Sequence, residues 1–182
     1  DTRGAGKALV HRPLDAASTF VISDSREGWA GSIKTLIASY LRPDDPTITF
    51  DYRLVRAKGR PIKGFGGVAS GPGPLRELHK TLRGLWDEQV GRLVSSQLIV
   101  DTMNVIGRCV VAGNVRRTAE IALGDPTDID FLNLKDAAKH PERTGWSWLS
   151  NNSVLVNPND GKRVYQDIAE RAWANGEPGV VW

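Results

Sequence analysis

Residues 64–74 read GFGGVASGPGP, and this stretch limits the fold more than any other part of the 182-residue chain. Five glycines and two prolines in eleven positions exclude both a helix and a central strand, so the backbone there is a long turn able to approach a ligand or another segment closely. What flanks it is periodic. Upstream, Thr47 to Tyr52 alternates β-branched and aromatic residues with polar ones and reads as a strand, followed by the basic, turn-rich run Arg53 to Lys63. Downstream, Leu75, Leu78, Leu82, Leu85 and Trp86 mark an amphipathic helix to about Val90.

The same reading extends outward. Residues 1–17 are expected to be an irregular lead-in, with a short strand at Ser18 to Ser23. Asp24 and Ser25 are both suited to cap a helix whose apolar face is Trp29, Ile33, Leu36, Ile37 and Tyr40, and which ends before Arg42-Pro43. Leu98 to Val111 reads as a buried helix and Thr118 to Leu123 as a strand. Asp128 is expected to start a short helix running through Ala138, Ser153 to Val156 to form a strand, and Val164 to Trp173 a helix. The apolar Val180-Val181-Trp182 reads as a strand in a sheet that continues beyond these residues. Helices alternating with short strands predict an α/β fold with a mainly parallel sheet. With no repeat and no linker, residues 1–182 are read as one segment.

Composition removes several functions. Apolar residues at 40% and charged ones at 25% are ordinary for a globular chain. The most apolar stretch, Leu98 to Ala112, is interrupted by Asp101, Asn104 and Arg108, so it does not span a bilayer. A single cysteine makes no internal disulfide or thiolate cluster, which points to a cytoplasmic setting. His11, His79 and His140 lack ligand spacing. A net charge of +3 with dispersed cations and 7% aromatic residues does not argue for a nucleic-acid partner. Cys109, near the C-terminal end of its helix where the dipole opposes an anion, reads as a small buried apolar residue.

Three groups of residues carry possible chemistry. Arg56, Lys58, Arg60 and Lys63 beside Gly64, Gly66 and Gly67 combine cations with flexible backbone donors, as a phosphate site does and as a solvated loop also does. Arg116 and Arg117 follow Gly113 in a tight turn, either presenting two guanidiniums to a planar or anionic ligand or lying on the surface. Asn151-Asn152-Ser153 precedes an apolar strand, where ligands of α/β sheets bind, although turn chemistry alone accounts for it.

Together these pieces resemble one family. Ser23 to Trp29 (SDSREGW), Gly64 to Pro72 (GFGGVASGP), Val110 to Arg117 (VVAGNVRR) with Ala119 to Gly124 (AEIALG), Ser150 to Val154 (SNNSV) and Asn175 to Val180 (NGEPGV) are similar, in order, to segments of the adenosylcobalamin-dependent (class II) ribonucleoside-triphosphate reductases of the monomeric type. The resemblance implies part of a ten-stranded α/β barrel, incomplete in this chain, and a parent that reduces ribonucleoside triphosphates to 2′-deoxyribonucleoside triphosphates by cobalamin-initiated thiyl radical chemistry. The family's Asn-Pro-Cys-Gly-Glu loop does not occur among these residues, so no catalytic residue is assigned and the isolated segment is expected to be inactive. A non-catalytic deoxynucleotide-binding module derived from the same family is the alternative.

By resemblance, Arg116 would contact the substrate base, with Asn114 and Arg117 as neighbours; Ser70 and Gly71 would line the ribose, and Asn152 and Ser153 would lie at a strand end near that pocket. Asp24 and Ser25 would hold the base and ribose of a deoxynucleoside triphosphate effector, and Arg56 and Lys63 its phosphates. This last region is where the monomeric enzymes carry an insertion that imitates a dimer partner. The implied partners are the nucleotides, the remainder of the reductase chain and a dithiol reductant; adenosylcobalamin is the implied cofactor, with no contact assigned here.

Overall fold

A parallel strand pair needs a crossover connection, and the first half of the chain supplies one. In the computed structural model, which describes residues 1–62, 66–112 and 118–182, β1 (Leu14–Val21) is followed by α1 (Arg26–Leu41) and then β2 (Pro46–Asp51). The two strands pair in parallel, Ser18 opposite Ile48 and Phe20 opposite Phe50. The Ser25 side chain accepts from the Gly28 N–H at 3.0 Å and caps α1. Gly28 is forced by close approach, since a Cβ there would collide with the Ser23 backbone and hydroxyl. Next come α2 (Gly73–Asp87), with Pro74 in its first turn, and α3 (Ser96–Val111).

The second half holds β3 (Glu120–Gly124), the short α4 (Ile129–Asn133), two 3-10 turns at Pro141–Gly145 and Ser147–Leu149, β4 (Ser150–Leu155), α5 (Lys162–Asn175) and β5 (Gly179–Val181). These strands form a three-stranded parallel sheet in the order β3-β4-β5. The α/β class with parallel strands holds.

The described residues pack as two compact units: residues 8–62, 66–93 and 108–112, and residues 1–7, 94–107 and 118–182. In the first unit, α2 buries Leu75, Leu78, His79, Leu82 and Trp86, a stripe at helical spacing that includes a histidine. In the second, Ala122 and Val154 from the sheet meet Val100 of α3, Phe131 and Leu132 of α4 and Ile168 of α5. The opposite sheet face leaves Ile121 64% and Leu155 40% exposed.

Among the boundaries that differ from the sequence reading, three matter most. β1 starts at Leu14 rather than Ser18, because nearly every residue of this strand is exposed and no alternation marks its beginning. The Asp128 cap is as expected, accepting from the Phe131 N–H at 3.0 Å, but α4 stops at Asn133 instead of Ala138. The Asp136 carboxylate takes the Ala138 and Lys139 N–H groups, an Asx turn that competes with the helix. β4 begins at Ser150, three residues early, so Asn152 is its third residue and not a loop residue at a strand mouth.

Candidate functional site

The residues that cap α1 and those of the basic run meet in the first unit. The Arg56 Nε donates to the Asp24 carboxylate at 2.6 Å, and its Nη1 to the Pro61 carbonyl at 3.4 Å. Both side chains are about one-third exposed, so the pair is screened and structurally weak, yet it fixes a guanidinium beside a helix N-terminus. Ser25 lies in the same corner, its hydroxyl 3.0 Å from that of Ser23.

Arg56 also opens a hairpin. The Gly59 N–H donates to the Ala69 carbonyl, the Ala69 N–H to Arg60 and the Ile62 N–H to Gly67, with an antiparallel bridge between Pro61 and Val68. Gly71 has a φ of +76°, and a Cβ on it would lie 2.9 Å from the Lys58 nitrogen, so only glycine allows this return strand to approach. Gly71 therefore lies against Lys58, two residues after Arg56, with Ser70 preceding it in the chain. The expected effector cation and the expected ribose-lining residues share one hairpin.

The rest of the basic run is partly neutralised. Arg53 grips Asp51 through Nε and Nη2, and these bonds hold the Asp51 carboxyl below its usual range. Lys63, Asn114, Arg116 and Arg117 lie outside the described residues.

Asn152 and Ser153 belong to the second unit and face opposite sides of β4. Asn152 is buried on the covered face; its Oδ1 accepts from the Ser150 hydroxyl at 2.9 Å, and its backbone N–H donates to the Glu177 carboxylate at 3.0 Å. Lys135 completes that group, its Nζ 3.3 Å from Glu177 and donating to the Ser150 carbonyl. Ser153 is half-buried on the other face, over Gly179, where a Cβ would stand 2.7 Å from its hydroxyl. Of the two, Ser153 is on the side with accessible sheet.

Sequence reasoning missed two buried polar groups. In the second unit Asp101 and Arg143 are both 1% exposed; the Arg143 Nε and the Trp146 Nε1 donate to the same Asp101 oxygen at 2.8 and 2.7 Å. In the first, the Ser32 hydroxyl donates to the Trp29 carbonyl at 2.7 Å and so accepts from the His79 Nε2 at 2.9 Å, which leaves Nδ1 to accept from the Tyr52 hydroxyl at 2.7 Å. The imidazole stacks on Phe50 at 3.8 Å. Burial lowers the His79 pKa to about 4, with Arg83 adding to the effect, so the ring is neutral. A periodic reading cannot pair residues 42 or 47 positions apart.

Among the described residues no group of three or more His, Cys, Asp or Glu is arranged to hold a metal, and no helix is long and apolar enough to cross a membrane. Cys109 is buried, as expected, and its thiol is pushed up to about 11 by that burial.

Comparison with known proteins shows what the chain resembles. A sequence model described as the B12-dependent ribonucleotide reductase insertion domain matches residues 4–84. The chain is 48% identical over 165 residues to a probable adenosylcobalamin-dependent ribonucleoside-triphosphate reductase of Dictyostelium discoideum, covering 90% of this chain and 21% of that protein. It is 43% identical to the adenosylcobalamin-dependent ribonucleoside-triphosphate reductase of Euglena gracilis, over 100% of this chain and 25% of the relative. A crystal structure of a B12-dependent (class II) ribonucleotide reductase superposes with a TM-score of 0.78 and 32% identity, covering 96% of this chain and 24% of the other. Over nearly its whole length the chain is similar to class II ribonucleotide reductases. It spans a quarter or less of the length of these relatives. The insertion-domain match takes in Asp24, Ser25, Arg56, Ser70 and Gly71, and ends before Asn152.

Proposed function

We propose that this chain is a single segment of an adenosylcobalamin-dependent ribonucleoside-triphosphate reductase that carries the specificity-effector site and part of the substrate pocket. The observation that carries the reading is the Asp24–Arg56 pair at the start of α1, on the hairpin that returns through Ser70 and Gly71. A deoxynucleoside triphosphate suits that corner. Its phosphates take charge-assisted bonds from Arg56 and Lys63, near the positive end of a sixteen-residue helix. The Asp24 carboxylate accepts from a ribose hydroxyl, and Ser25 lies beside it. Movement of Arg56 on binding passes along the hairpin to Ser70 and Gly71 at the substrate ribose, while Asn114, Arg116 and Arg117 read the substrate base and Ser153, beside Asn152, reaches the pocket from β4. Coupling of this kind between two sites is typically about 1–3 kcal/mol.

Reduction itself belongs to the assembled enzyme, with the remainder of the reductase chain and a dithiol reductant as partners, and the isolated segment is inactive. Adenosylcobalamin supplies the radical in that enzyme. No residue of this segment is assigned a contact with it; both His79 nitrogens are engaged within the fold.

The test is calorimetric titration of the chain with each deoxynucleoside triphosphate, with sedimentation to confirm a folded, monodisperse sample. Saturable binding weakened about tenfold or more by Arg56→Ala is expected. Binding indifferent to Arg56→Ala overturns the assignment.

A further inference from the structure

The first unit has a second concentration of cations that the effector reading does not use. The Asp51 carbonyl accepts from the Ile22 N–H at 3.0 Å, so odd positions of β2 turn their backbone groups toward β1. Even positions turn the other way. The Ile48 carbonyl accordingly accepts from the Arg83 Nη2 at 2.6 Å, across a cleft of about 770 Å³ bounded by β2 and α2.

Arg76, Lys80 and Arg83 are spaced four and three residues apart, so they share one face of α2 over about 10 Å of helix axis, and all three line the cleft. A solvated basic face carries its charges on free stems. Here two of the three are held: Arg83 by the Ile48 carbonyl, and Arg76 with its guanidinium carbon 4.0 Å from the centre of the Tyr52 ring. Lys80 is exposed and makes no hydrogen bond or ion pair among the described residues. The one carboxylate in the lining, Asp87, accepts from the Tyr40 hydroxyl at 2.8 Å and keeps its charge, so the lining carries three cations against one anion. His79 also borders the cleft, with both ring nitrogens used. Neither guanidinium needs much ordering to receive an anion, which removes part of the usual entropic cost of binding.

We infer that the β2–α2 cleft is a second anion site, separate from Asp24 and Arg56, that takes a polyphosphate group through Arg76, Lys80 and Arg83. Phosphate oxygens accept from guanidinium and ammonium together, and the cleft volume falls in the range of small-molecule sites. An acidic peptide adding to the edge of β2 fits less well, because Arg83 already occupies the Ile48 carbonyl that such a strand would need.

Inorganic tripolyphosphate is the probe, titrated into the chain carrying Arg56→Ala so that the proposed effector corner is disabled. Saturable binding is expected to persist in that variant, to weaken about tenfold with Lys80→Ala, to recover with Lys80→Arg, and to fall as ionic strength rises. Lys80 is exposed, so its replacement leaves the fold intact, as a matching thermal melt verifies. A nucleoside triphosphate titrated in parallel separates the sources: equal affinity assigns the site to the phosphates alone, and tighter binding assigns it to a nucleotide. No binding once Arg56 is removed, binding insensitive to Lys80→Ala, or capture of an acidic peptide without tripolyphosphate binding would each overturn the inference.

Discussion

Acid should weaken the first unit through one imidazole. An unfolded chain holds His79 near the ordinary value of 6.5, whereas the folded chain holds it near 4, because burial and Arg83 disfavour the charged ring. Between those limits the unfolded state binds a proton that the native state refuses. Stability from this group is therefore fully present above pH 6.5 and is lost as pH falls toward 4. At about 1.4 kcal/mol for each tenfold change in proton concentration, the loss is about 3 kcal/mol, a large share of an ordinary domain's stability. Carboxylates titrate in the same window, including Glu120, whose pKa is raised by burial, so a difference measurement is needed. Urea unfolding of wild type and His79→Gln should give a stability gap that shrinks by about 3 kcal/mol between pH 7 and pH 4. The nitrogen resonances should report a neutral ring protonated at Nε2 down to about pH 5. A gap constant across that range, or a ring that titrates near 6.5 in the folded protein, would refute the reasoning.

Two further outcomes follow from burial. Arg143→Leu or Asp101→Leu alone should cost about 3–5 kcal/mol by stranding a buried charge, whereas the double replacement should recover most of it; additive losses in denaturant titrations would show that the two charges do not act as a pair. Cys109, buried with its thiol pushed up to about 11, should resist a disulfide-forming thiol reagent at pH 8 until urea is added, and rapid native labelling would contradict its placement.

What was legible in the sequence was local. The Ser25 cap, the α1 stop before Pro43 and the apolar stripe of α2 follow from spacing within one or two turns, and the parallel strand type from the alternation of helices with strands. Asp24 and Arg56, 32 residues apart, were linked only through the family resemblance, and the ion pair joins them. Spacing failed where polar residues occupy structural positions. His79 sits on a buried helical face because Ser32 and Tyr52 satisfy it, and Asn152 lies inside a strand because Ser150 and Glu177 do the same. Their partners come from other elements, so nothing in the local pattern announces them.

The Glu177 carboxylate acts as a ruler for the sheet. β5 contributes three residues, all exposed, so alternation of buried and open positions does not tell this strand where to stop sliding. Along β4 the Val156 N–H meets the Val181 carbonyl, and stepping back in twos brings Asn152 opposite position 177. There a side chain, clamped by Lys135, takes the place of a backbone acceptor. A slip of two residues would carry that carboxylate off both the Asn152 N–H and the Lys135 ammonium. The alignment of this short strand is thus written in charge rather than in hydrophobicity.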